Sequence, residues 1–120
     1  MGYLTSYNLV ARAENASQTL ADAITAKAKE LGIVGYALDE GVLTAGDIEF
    51  DTFDSVKWYE HDSDMLALSR AFPEVTYRLH GEGEEGGDLW DCYYRDGTLE
   101  YCPARLIYPE PERIKWKKVD

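Results

Sequence analysis

The dipeptide Asp96-Gly97 lies between two runs of strand-forming residues, Leu89 to Arg95 and Thr98 to Cys102, and it constrains the fold more than any other feature of the chain. It is the strongest short hairpin signal present, because Asp-Gly suits the two-residue turns whose twist matches paired strands. With that turn, Arg95 faces Thr98 and Cys92 faces Tyr101. The sulfurs of Cys92 and Cys102 are then one register step out of alignment, so no disulfide is expected, and at least one thiol reads as a small core residue. Trp90, Cys92 and Tyr94 share one strand face while Leu89, Asp91 and Tyr93 share the other, and only one of these faces can be the main core.

Upstream, Tyr3, Thr5, Tyr7, Leu9 and Ala11 alternate with Leu4, Ser6, Asn8, Val10 and Arg12, which predicts a long strand. Asn15 and Ser17 offer N-caps to a helix carrying Leu20, Ala23, Ile24, Ala28 and Leu31 on one face, closed by Gly32. Ile33 to Leu38 is a short β-prone run, and Val42 to Phe50 and Phe53 to Trp58 are weaker strand segments. A second helix follows, with Asp62 or Ser63 as cap, Met65, Leu68 and Phe72 on its apolar face beside Leu66, and Pro73 at its end. Val75, Tyr77 and Leu79 alternate with Thr76, Arg78 and His80 as a half-buried strand, Gly81 to Gly87 form a loop, and a final edge strand is expected between Arg105 and Asp120. The order of elements, β, α, β with room for an inserted hairpin, α, β and then a hairpin, predicts an α+β fold. A single domain over residues 1–120 would hold a mainly antiparallel sheet with two helices packed on one face, ferredoxin-like with an added C-terminal hairpin. At 120 residues and 45% apolar, the chain can fill one modest core.

Charge is distributed unevenly. Residues 39–100 carry seventeen acids against Lys57, Arg70, Arg78 and Arg95, whereas residues 1–38 are balanced and residues 101–120 are slightly basic. A formal net charge of −11 excludes general electrostatic binding to a phosphate backbone or an anionic membrane. With no run of about 18 apolar residues and no basic, apolar leader at the N-terminus, the expectation is a cytoplasmic protein.

The segments Val56-Lys57-Trp58-Tyr59, Asp64-Met65-Leu66-Ala67-Leu68-Ser69, Phe72-Pro73-Glu74-Val75 and Gly81-Glu82-Gly83-Glu84-Glu85-Gly86-Gly87-Asp88-Leu89-Trp90 occur in that order. Together they resemble small proteins of phages, plasmids and mobile elements related to the ferredoxin-like domain of YubB-type proteins. The match covers a little over a third of the chain, and the first 50 residues depart from the pattern. The resemblance implies the same fold, a mobile-element origin and a bacterial host cytoplasm. That setting includes inhibitors of host defence such as anti-CRISPR proteins. It supplies no catalytic residues.

Two acidic groups are the candidate partner-binding residues. Asp47, Glu49, Asp51 and Asp54 lie in the stretch that runs from Asp39 and Glu40 to Glu60, Asp62 and Asp64. On extended backbone, residues two apart project to the same side about 6.6 to 6.8 Å from each other, so Asp47, Glu49 and Asp51 form a row able to imitate DNA phosphates. Arginine and lysine bind carboxylates by the same hydrogen bonds they use for phosphates. Glu82, Glu84, Glu85 and Asp88 form the second group, an anionic finger among glycines. The expected partner is therefore a basic nucleic-acid-handling host protein such as a Cas nuclease, with no direct nucleic-acid or membrane contact. The other reading is a structural or regulatory interaction module, homodimeric through its sheet edge, whose acidity serves solubility. Catalysis is not expected: there is no phosphate-binding loop, no metalloprotease motif, and no Ser or Cys motif beside His61 or His80. No cofactor or metal is called for. Cys92, Cys102, His61 and His80 are zinc-ligand types, but their spacing fits no zinc motif.

Overall fold

The computed structural model describes residues 5–34, 38–50, 58, 60–83 and 89–103. Strand β1 (Thr5–Arg12) is followed by helix α1 (Gln18–Glu30), strands β2 (Val42–Thr44) and β3 (Asp47–Phe50), helix α2 (His61–Ala71), and strands β4 (Thr76–Gly83), β5 (Leu89–Arg95) and β6 (Thr98–Pro103). The strands form one sheet in the order β2-β3-β1-β4-β5-β6, and every neighbouring pair is antiparallel. The first four strands and two helices reproduce the ferredoxin-like βαββαβ arrangement, with β1 and β3 in the centre; β5 and β6 extend it beyond β4.

Both helices cover the same face. Tyr7, Leu9 and Ala11 of β1, Ile48 and Phe50 of β3, Tyr77 and Leu79 of β4, and Trp90, Cys92 and Tyr94 of β5 pack there against Ala21, Ile24 and Ala28 of α1 and Met65 and Leu68 of α2. Strand alternation then sends every second side chain to the other face, which no described helix covers.

Local chemistry explains the boundaries. The Ser17 hydroxyl accepts the Leu20 amide at 3.1 Å and caps α1, while Gly32, at φ +81°, ends it in the left-handed conformation. The buried face of α1 holds Ala21, Ile24, Thr25 and Ala28; Ala23, expected there, is exposed. Thr25 enters that face because both sides of its hydroxyl are used: it donates to the Ala21 carbonyl at 2.8 Å and accepts the Gly41 amide at 3.0 Å. The β5–β6 register is the expected one, turning at Asp96 (φ +45°) and Gly97 (φ +74°).

The segment Val42 to Phe50 is the inserted hairpin, because Ala45 and Gly46 both adopt positive φ and turn the chain. Several expectations are corrected. The run Ile33 to Leu38 shows only an isolated bridge between Val34 and Leu38 among the described residues. Glu60 occupies the α2 N-cap without a side-chain hydrogen bond, and Asp62 and Ser63 lie inside the first turn. Asp62 instead accepts the Tyr94 hydroxyl at 2.6 Å, and Asp64 accepts the Trp58 indole N–H at 2.8 Å. Gly81, Glu82 and Gly83 are strand rather than loop. A Cβ on Gly81 would stand 2.2 Å from the Trp90 ring, so this strand position is glycine because the indole lies over it. The segments Phe53 to Lys57 and Arg105 to Asp120 lie outside the described residues.

Candidate functional site

The helix-free face is ordered by register. One row runs Val42, Glu49, Val10, Arg78, Tyr93, Glu100 across all six strands. A second holds Asn8, His80, Asp91 and Cys102, and Ser6, Glu82 and Leu89 lie beyond it. In the opposite direction, Thr44 pairs with Asp47, and Arg12 pairs with Thr76.

Of the eight carboxylates singled out from sequence, Asp47, Glu49 and Glu82 are described, and all three project from this face. Asp47 and Glu49 are two residues apart on β3, as alternation requires. Glu82 stands two strands away on β4, opposite Ser6, whereas Glu49 is aligned with Val10 on the same intervening strand. The structure therefore places Glu82 on the face but not beside the β3 pair. Asp51, Asp54, Glu84, Glu85 and Asp88 lie outside the described residues.

Two of the three have partners within the fold. Arg12 Nε approaches an Asp47 oxygen at 3.4 Å, a long contact between exposed groups that contributes little to stability. His80 is bracketed, with Nδ1 at 2.6 Å from Asp91 and Nε2 at 3.2 Å from Glu82. Burial alone lowers the His80 pKa, but hydrogen bonds to Asp91 and Glu82 and the charge of both outweigh it, so the imidazole titrates above its ordinary value. Glu49 has no ion-pair partner among the described residues.

The sequence marks the basic and aromatic members of this face only as alternating strand positions, without showing which of them come together. Arg12, Arg78 and Tyr93 line, with Val10 and Thr76, a small cavity of about 90 Å³. Tyr93 is 40% exposed and also walls a groove of about 310 Å³ with His80, Leu89, Asp91 and Cys102. A larger cleft of about 700 Å³ opens where β1 leads to α1, with Arg12, Arg95, Glu14, Asp47 and Glu74 on its walls. The signal that marks these residues is the alternation of Thr76, Arg78 and His80 against Leu89, Asp91 and Tyr93, once the β4–β5 register is known.

The zinc-ligand types do not converge. Cys92 is buried on the helical side, where His61 stacks on Trp90 at 5.0 Å, whereas His80 and Cys102 project from the opposite face. Among the described residues no group of three or more metal-ligating side chains is assembled. Burial pushes the Cys92 thiol pKa up, against the thiolate form that metal ligation needs. No helix among the described residues is long and apolar enough to cross a membrane. Comparison with protein-family models, with curated proteins and with solved structures finds no match for this chain.

Proposed function

We propose that this protein is a non-enzymatic, mobile-element inhibitor that docks its helix-free sheet face on a basic nucleic-acid-handling host protein, most specifically an anti-CRISPR protein that keeps a Cas effector from target DNA. The observation that supports the reading is the common projection of Asp47, Glu49 and Glu82 from a face no described helix covers, on a chain of formal net charge −11. Arginines and lysines that grip phosphates or read a short DNA motif would accept these carboxylates in place of DNA. Glu49 would meet them directly. Asp47 and Glu82 would exchange Arg12 and His80 for partner cations, a substitution that costs little at exposed contacts.

Target-DNA binding by RNA-guided nucleases, measured with and without the protein, tests the proposal. Inhibition should weaken as salt rises. It should also fall by about tenfold or more in an Asp47→Asn, Glu49→Gln, Glu82→Gln triple variant. Undiminished inhibition by the triple variant would remove this face from the mechanism. The contacts of Asp47 with Arg12 and of Glu82 with His80 favour a second reading, an interaction module that self-associates through β6, whose residues are all exposed. A concentration-dependent dimer that captures no basic host protein would select it.

A further inference from the structure

The arginines of the helix-free face stand out against the charge of the chain. Arg12 pairs in register with Thr76, Arg78 lies two residues along β4 from Thr76, and Arg95 comes one step after the Tyr77–Tyr94 pair, which puts it beside Thr76 on the other side. Three arginine residues are therefore register neighbours of Thr76, at backbone spacings of about 4.8 Å across strands and about 6.8 Å along one. Arg78 and Arg95 have no acidic partner among the described residues, although acids outnumber bases nearly two to one in the chain. Arg95 shares its cleft with Glu14, Asp47 and Glu74, whereas the cavity that Arg78 lines with Arg12 has no carboxylate on its walls, a local concentration of positive charge set against a repulsive long-range field.

Tyr93 joins that site to a second one. It is the direct cross-strand neighbour of Arg78, and it walls both the 90 Å³ cavity between Arg12 and Arg78 and the 310 Å³ groove that continues past Leu89 and Cys102. The groove is at the lower end of the size range of small-molecule sites. Asp91, which lines the groove, is hydrogen-bonded to His80 at 2.6 Å, and Glu82 shares the same imidazole, so the phosphate belongs at the arginine end and the groove takes the base. Glu100 lies on the far side of Tyr93 from Arg78, and Glu49 on the far side of Val10. The arrangement offers a charged socket, an exposed aromatic ring and a partly apolar trough in line.

We infer that this face binds a nucleotide, its phosphate held by Arg78 and by Arg12, which would exchange its long 3.4 Å contact with Asp47 for the phosphate, and its base stacked on Tyr93 over the groove toward Leu89 and Cys102. Guanidinium groups grip phosphate oxygens bidentately, and a tyrosine ring stacks on any base. The net charge of −11 favours one compact phosphate over a long polyanion, whose remaining phosphates would meet the acidic surround. Such a phosphate belongs either to a free mononucleotide or to the end of a short single strand.

The test is titration of the isotopically labelled full chain, followed by amide shifts. AMP, GMP, CMP and UMP are compared with inorganic phosphate alone, adenosine alone and a short single strand bearing a terminal phosphate. The expected result is a saturable response at Arg78 and Tyr93 to nucleotides, weaker for either fragment. Arg78→Gln and Tyr93→Ala should each weaken binding by about tenfold. Tyr93→Phe should retain it, and Arg70→Gln, on the helical side, should leave it unchanged. Retention in Tyr93→Phe separates loss of stacking from loss of fold. Tighter binding of the strand than of mononucleotides assigns the site to a strand terminus, and the reverse to the free nucleotide. No saturable response to any nucleotide, inorganic phosphate binding as tightly as nucleotides, or affinity unchanged in Arg78→Gln and Tyr93→Ala would each overturn the inference.

Discussion

Replacing Gly81 by alanine probes the packing of β4 against β5 directly. The added Cβ would lie 2.2 Å from Trp90 Cζ2 and 2.3 Å from Cε2. Carbon atoms pack best at about 3.5–4.0 Å, so the indole must retreat by more than about 1 Å. It cannot do so freely, because Trp90 is stacked on His61 at 5.0 Å and contacts Tyr7 and Tyr101 at 6.0 and 6.1 Å. Overpacking of this kind costs about 1–3 kcal/mol, and each aromatic contact loosened adds about 0.5–1.5 kcal/mol. The better strand propensity of alanine returns less than about 1 kcal/mol. The expected net loss is about 2–4 kcal/mol, a fall of roughly 10 °C in Tm for a domain of this size. Urea unfolding followed by circular dichroism measures it, with Trp90→Leu as the second arm of a double-mutant cycle. In the leucine background the same glycine change should cost under about 1 kcal/mol, because the obstructing ring is gone. A Gly81→Ala protein within about 0.5 kcal/mol of the parent, or an equal cost in both backgrounds, would refute the claim that the indole dictates this glycine.

Two further outcomes follow from one fully buried polar group and one half-buried one. The Tyr77 hydroxyl is fully buried and has no hydrogen-bond partner among the described residues, and burial, helped by the charge of Glu74, raises its pKa well above the tyrosine range. Tyr77→Phe should therefore be neutral or stabilising by up to about 1 kcal/mol in the same unfolding assay, where most core changes destabilise. His80 titrates above its ordinary value, so its contribution to stability is fully present below the unfolded-state histidine pKa and is lost as pH rises through the higher folded one. Its imidazole resonances should titrate higher in the parent than in Asp91→Asn, and His80→Gln should be more destabilising at pH 6 than at pH 8.

What the sequence discloses depends on how local the cause is. The Asp96-Gly97 turn and the Ser17 cap act over a few residues, and both are legible as residue types at a fixed spacing. The turn of the second hairpin is hard to place because alanine at φ +50° is an unusual turn residue, so the sequence leaves room for a hairpin within Val42 to Phe50 without locating it. Gly81 to Gly83 read as loop because glycine and glutamate disfavour strands; the reason for Gly81 is Trp90 on the neighbouring strand. The same division runs through the candidate site. The common face of Asp47 and Glu49 follows from alternation alone, but the Arg12–Asp47 contact requires the β1–β3 register, and the bracketing of His80 by Asp91 requires the pairing of β4 with β5. Those registers are properties of the assembled sheet.

The β5–β6 hairpin is outside the βαββαβ unit by topology but not by attachment. Tyr94 reaches Asp62 at the start of α2, the Gly97 amide donates to Ser69 near its end at 2.9 Å, and Trp90 stacks on His61 between the two layers. A nascent chain leaving the ribosome therefore releases its second helix well before the floor on which that helix rests. Native closure over α2 must wait until β5 and the turn at Gly97 have emerged, and truncation anywhere before residue 98 should strand the helix rather than trim an appendage.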